Sequence, residues 1–101
     1  MNWYKKNQSD TYGEETTEEW LKRHQIPIEN GKYVFYHGSP KQLSFLQKNS
    51  LLAETEEEAR FFAARDRGLY PKDIIVYKIL INPEDIYTGV FPSLRREYEL
   101  V

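Results

Sequence analysis

Apolar residues fall in two kinds of pattern along the chain: short helical faces set in charged stretches, and nearly continuous runs. TTEEWLKRH, Thr16 to His24, is polar except for Trp20 and Leu21. It predicts a short helix docked by those two side chains, since Thr16 can cap it and Glu19 can reach back to complete a capping box. His24 caps its far end. IPIENGK then turns the chain at Pro27, Asn30 and Gly31. YVFYH, Tyr33 to His37, has the β-branched and aromatic content of a strand that ends in histidine. SPKQLSFLQKNS follows as an irregular connection anchored by Leu43, Phe45 and Leu46, and LLAE reads as a short strand.

TEEEARFFAARDRG, Thr55 to Gly68, has the strongest local signal. Thr55 caps, Glu58 completes the box, acids fill the first turn, and Arg65 and Arg67 stand near the last. Gly68 suits the left-handed residue after a helix. Ala59, Phe62 and Ala63 share one face of this amphipathic helix. DIIVYKILI is almost uninterrupted in apolar character from Ile74 to Ile81, which predicts a strand buried on both faces in the middle of a sheet. NPEDIYTGVFPSLRR is punctuated by Pro83, Gly89 and Pro92 and reads as a connection; EYELV is a last strand.

The order helix, strand, strand, helix, strand, strand lacks regular βαβ alternation. It predicts an α+β fold with a small, mostly antiparallel or mixed sheet and short helices. Residues 1–14 are polar and aperiodic and read as a flexible tail, leaving 15–101 as a single domain. The chain has 101 residues with a formal net charge of -2, which speaks against a general binder of nucleic-acid backbones. It has no cysteine, so disulfides and thiolate chemistry are excluded. No apolar run reaches the length of a membrane span, and MNWYKKNQSD has no apolar segment of the kind a secretion signal carries. The expectation is a cytoplasmic protein without a membrane partner.

Candidate chemistry gathers at two places. A histidine at a strand end is as a rule a structural group, but His37 is followed by Gly38, Ser39 and Pro40. Gly38 lacks a Cβ, so a flat ligand can reach both its N–H and its C=O. Ser39 adds a hydroxyl, and Pro40 stiffens the exit. In the last strand Glu97 and Glu99 are two apart and face the same way. Such a pair is either a solvated edge or a carboxylate poised to stabilise developing positive charge. Glu56, Glu57 and Glu58 serve the helix N-terminus, and no cluster has metal-ligand spacing, so no metal is expected. Ser39 lacks the elbow pattern of a serine hydrolase.

Taken in order, YHGS, then LLAETEEEARFFA, then REYELV resembles the ADP-ribosyltransferase fold. The resemblance is to its His-Tyr-Glu branch, which includes diphtheria-type toxins and poly(ADP-ribose) polymerases, and it covers Tyr33 to Val101. It implies NAD as co-substrate and mono-ADP-ribosyl transfer, a glycosyltransferase reaction. The acceptor is a protein, a nucleic acid or a small molecule. It implies that Gly38 holds the nicotinamide carboxamide through its backbone. His37 would hydrogen-bond a ribose hydroxyl, and Ser39 would support the ribose. Phe62, or its neighbour Phe61, would stack on the nicotinamide. Glu97 would stabilise the oxocarbenium-like state as nicotinamide leaves, a logic shared with glycoside cleavage. The segment entering the glutamate strand often selects the acceptor in this family, which singles out Tyr87, Phe91, Arg95 and Arg96.

Three features depart from the family pattern. Phenylalanine stands where the helix usually has tyrosine. The sequence stops four residues after Glu97, where many relatives continue, so a minimal version of the fold is expected. Glu97-Tyr98-Glu99 also fits the arginine-type toxin branch, in which the second glutamate acts; His37 in place of arginine favours Glu97, with Glu99 second. The alternative is a catalytically inactive module of this fold that binds or inhibits a protein partner. A related transferase that removes a 2′-phosphate from RNA normally needs several arginines and a positive groove, against the net charge of this chain.

Overall fold

A computed structural model describes residues 15–100, and the expected tail over 1–14 lies outside the described residues. Helix α1 (Thr17–Arg23) begins as its sequence predicts. Thr16 accepts from the Glu19 N–H, and the Glu19 carboxylate accepts from the Thr16 N–H in return. Trp20 and Leu21 are its buried residues. Glu15 and Arg23 form a two-point ion pair whose hydrogen bond holds the Glu15 carboxyl below its ordinary range. His24 closes the helix, stacks on Trp20 with ring centroids 3.7 Å apart, and brings Nδ1 within 2.6 Å of Glu54.

Strands β1 (Ile28–Glu29), β2 (Lys32–Ser39) and β4 (Ile75–Ile81) form an antiparallel sheet in the order β1-β2-β4. The β1–β2 turn is Asn30-Gly31, both at positive φ (52° and 77°), the conformation a two-residue hairpin favours. Two short antiparallel ribbons complete the strands: β3 (Phe45–Leu46) with β7 (Tyr98–Glu99), and β5 (Ile86–Tyr87) with β6 (Ser93–Leu94). The fold is therefore α+β, and every named strand pair is antiparallel. Trp20, Leu21, Phe35, Leu46, Ile79, Ile81, Ile86 and Leu94 pack into one core between α1, the sheet and the two ribbons.

Helix α2 (Glu56–Arg67) starts at Thr55, whose side chain accepts from the Glu58 N–H, and ends at Gly68 in the left-handed conformation, φ 66°. Its buried residues are Ala59 and Ala64; Phe62 is exposed rather than part of a buried stripe. α2 approaches β2 closely at Gly38, where it presents Ala59 and Ala63.

Three expectations are corrected. β2 does not end at His37: it continues through Gly38 and Ser39, which stand opposite Val76 and Ile75. β4 is not central. β2 holds the middle, and β4 is an edge whose Ile75 is 41% exposed. Nor is it buried on both faces: of its residues only Ile79 and Ile81 are buried. Arg60 donates to the Ile74 carbonyl at 2.6 Å, and the Tyr98 hydroxyl donates to that of Leu80. Both caps blunt an edge that would otherwise invite pairing. LLAE makes only single bridges, Leu51 to Ser93 and Ala53 to Tyr36, and EYELV contributes only Tyr98 and Glu99 as strand. Among the described residues no helix is long and apolar enough to cross a membrane.

Candidate functional site

The His-Gly-Ser end of β2 opens onto a cleft of about 830 Å³. Its walls are Tyr36 to Lys41, the segment Leu51 to Ala53, and the face of α2 that carries Ala59, Phe62 and Ala63; Phe91 and Phe45 stand at its rim.

The backbone explains why the cleft begins at Gly38. Tyr36 and Ala53 exchange hydrogen bonds, N–H to O at 2.9 Å one way and 2.7 Å the other. The polar backbone groups of Tyr36 thus point away from β4. Such groups alternate sides along an antiparallel strand, so Gly38 turns its N–H and C=O the same way. There the bridge to Ala53 has ended, and among the described residues no backbone partner meets them. Gly38 thus presents one donor and one acceptor side by side at the cleft.

The missing Cβ has a separate cause. A Cβ on Gly38 would lie 2.4 Å from the Ala59 carbonyl oxygen and 3.0 Å from the Ala63 Cβ. Glycine is required here by helix packing, independently of any ligand.

His37 leaves β2 on the face opposite α2, since side chains alternate. Its Nδ1 is 2.7 Å from the Leu51 carbonyl oxygen, so Nδ1–H is the donor and Nε2 carries the lone pair in the neutral ring. Phe62 reaches the cleft from the other side. Ser39 is buried, and its hydroxyl is engaged locally: it donates to Lys41 O at 2.7 Å and accepts from Lys41 N–H at 3.2 Å.

The predicted residues divide into two groups. His37, Gly38, Ser39, Phe62 and Phe91 meet at the cleft. Phe61, Tyr87, Arg95, Arg96, Glu97 and Glu99 are not among its lining residues. Phe61 stands beside Phe62 on the solvent side, and the Arg65 guanidinium lies 5.9 Å and 5.4 Å from the two ring centres. Arg95 stacks over Tyr87 at 4.2 Å, and Arg96 pairs with Asp85 at 2.8 Å. Glu97 and Glu99 are exposed. Glu99 is the cross-strand partner of Phe45, and such partners share a face. Glu99 therefore stands beside the rim residue Phe45, outside the cleft wall.

The structure adds residues that pattern and motif did not reveal. Leu51 acts through a backbone carbonyl, which no side-chain pattern reports. Lys41, Arg65, Asp66 and Arg67 also line the cleft. The arginines had a sufficient explanation as last-turn charges, which hid their place at the cleft. Among the described residues no group of three or more His, Asp or Glu side chains could hold a metal ion. No family model matches the chain, and neither a curated protein nor a solved structure matches it.

Proposed function

We propose that the cleft binds the nicotinamide–ribose end of NAD and that the chain is an ADP-ribosyltransferase-like protein. The observation that carries this reading is the open donor and acceptor pair of the Gly38 backbone, flanked by His37 and Phe62. A carboxamide offers one acceptor and two donors, so it can bond both Gly38 groups at once. Phe62 supplies a ring for the pyridinium to stack on, and stacking needs no hydroxyl. With Nδ1–H committed to Leu51, Nε2 of His37 can accept from a ribose hydroxyl. The Ser39 hydroxyl is already engaged with Lys41, so the ribose is left to His37.

In transfer, the bond between nicotinamide nitrogen and anomeric carbon breaks with its electron pair going to nitrogen. Neutral nicotinamide leaves, and a carboxylate stabilises the cationic sugar until the acceptor attacks and gives up a proton. Glu97 is the carboxylate assigned to this step and Glu99 the second choice. A second reading, binding without turnover through a protein partner, is favoured by one observation: neither glutamate is among the lining residues.

The test is NAD binding by calorimetry followed by nicotinamide release in the same sample. Release that falls at least a hundredfold in Glu97→Gln or Glu99→Gln, with binding kept, assigns the carboxylate and establishes transfer; the size is that of losing one preorganised electrostatic contact, roughly 10²–10³. Binding without release selects the second reading. No binding at millimolar NAD refutes the NAD site and leaves only a module that acts through a protein partner.

A further inference from the structure

The chain carries a net charge of -2, yet its cleft is basic. The charged lining residues are Lys41, Arg65 and Arg67 against the single carboxylate of Asp66. Among the described residues no carboxylate forms an ion pair with Lys41 or Arg67, whereas Arg60, Lys78 and Arg96 are all so paired. Arg65 is held over the Phe61 and Phe62 rings and keeps its charge unneutralised.

These cations have defined positions. Ala59, Ala63 and Arg67 follow at four-residue spacing, one row of α2. The first two residues of that row are the ones a Gly38 Cβ would strike. Arg67 therefore lies one turn past the Gly38 contact, about 6 Å along the helix axis. On the facing wall Lys41 follows Gly38 by three positions. Its backbone is fixed by the buried Ser39 hydroxyl, which bonds both its N–H (3.2 Å) and its C=O (2.7 Å). Two walls of the cleft thus each carry a cation that no carboxylate pairs, one helical turn past the Gly38 contact on the first and three residues after Gly38 on the second.

We propose that Lys41 and Arg67, with Arg65 beside them, form a phosphate-binding end of the cleft that takes the diphosphate of a dinucleotide. That the remainder of this ligand is NAD rests on the function proposed above. A flat group seated at Gly38 and Phe62 and a diphosphate between Lys41 and Arg67 fit one molecule, joined through a ribose. Arginine matches phosphate with two parallel hydrogen bonds, and lysine adds a point charge. Ser39 is then a positioning residue: its hydroxyl sets Lys41 rather than touching the ribose.

The experiment is calorimetry of the full chain with inorganic pyrophosphate at low salt. Wild type should bind, and added salt should weaken binding. Lys41→Gln and Arg67→Gln should each weaken it about tenfold, the size of one charge-assisted contact. Lys48→Gln, an exposed cation outside the cleft, should leave it unchanged. Ser39→Ala keeps every charge and should still weaken binding by releasing Lys41. Absence of pyrophosphate binding at millimolar concentration, or equal binding by the Lys41 and Arg67 variants, overturns the assignment. Repeating the titrations with ADP and NAD separates the two proposals. Lys41- and Arg67-dependent binding with no gain from ADP to NAD keeps the phosphate end and removes the nicotinamide reading. NAD binding untouched by either variant does the reverse.

Discussion

Gly38→Ala tests the contact on which the cleft is built. The added Cβ would sit 2.4 Å from the Ala59 carbonyl oxygen, where ordinary contact begins near 3.4 Å. The helix would have to retreat by roughly 1 Å, because the obstacle is its own backbone and not the end of a flexible side chain. The second contact, Ala63 Cβ at 3.0 Å, resists the same movement. Overpacking of this kind costs about 1–3 kcal/mol. For a chain of 101 residues, each kcal/mol lowers the melting temperature by about 4–8 °C, so a fall of about 4–24 °C is expected. Thermal denaturation followed by far-UV circular dichroism measures it without any ligand. Gly38 has no positive φ, so the change introduces no backbone strain to confuse the result. A variant as stable as wild type would refute the packing account and leave ligand access as the reason for glycine. The same geometry disqualifies Gly38→Val as a probe of the NAD site, since its side chain meets the helix before it could meet a nicotinamide.

Two further substitutions test the cleft and its support. Phe62→Ala should weaken NAD binding by about tenfold or more while Phe61→Ala leaves it unchanged, the stacking of a ring being worth roughly 1–3 kcal/mol by alanine substitution; equal effects in a calorimetric comparison would mean that the wrong ring was assigned. Trp20→Phe removes the indole N–H that donates to Gly89 O at 3.0 Å and should cost about 1 kcal/mol, read as a lower melting temperature; an unchanged value would show that α1 does not hold the loop carrying Phe91.

Local signals in the sequence were strong where one residue type does one job. Thr16 with Glu19, Asn30-Gly31, Thr55 and Gly68 mark the element ends, and the structure uses each for the expected purpose. The central position and two-sided burial expected for β4 failed because an apolar run does not report how many strands or layers flank it. Arg60 and Tyr98 cap that edge from distant parts of the chain, and no local window contains both. His37, Gly38 and Phe62 were legible as cleft residues because motif and topology agree on them. Ser39 was legible as a cleft residue, but its hydroxyl is directed to Lys41, a backbone contact that a side-chain motif does not encode. Lys41 and Arg67 were hidden because pairing state is a tertiary property: an arginine near a helix end looks the same whether or not a carboxylate awaits it.

The remaining question, transfer or binding alone, turns on how the glutamates are held. The segment before β7 is tethered at Asp85, whose carbonyl accepts from the Arg95 N–H at 2.8 Å while its carboxylate pairs with Arg96 at 2.8 Å. Arg95 is further occupied by Tyr87. These residues were expected to face an acceptor; the geometry uses them to fix the chain two positions ahead of Glu97. Beyond them Tyr98 is anchored on the core side by its bond to Leu80, which leaves Glu99 on the other face with Phe45, while Glu97 precedes the strand. These anchors fix the backbone on either side of Glu97, but its carboxylate is exposed, as is that of Glu99. In the structure neither carboxylate lines the cleft. Transfer therefore requires one of two movements: a glutamate side chain turns toward the cleft, or the sugar comes to the rim beside Phe45 while the nicotinamide stays at Gly38. Without either movement, an NAD bound inside the cleft leaves both glutamates idle, and the protein holds the dinucleotide without cleaving it.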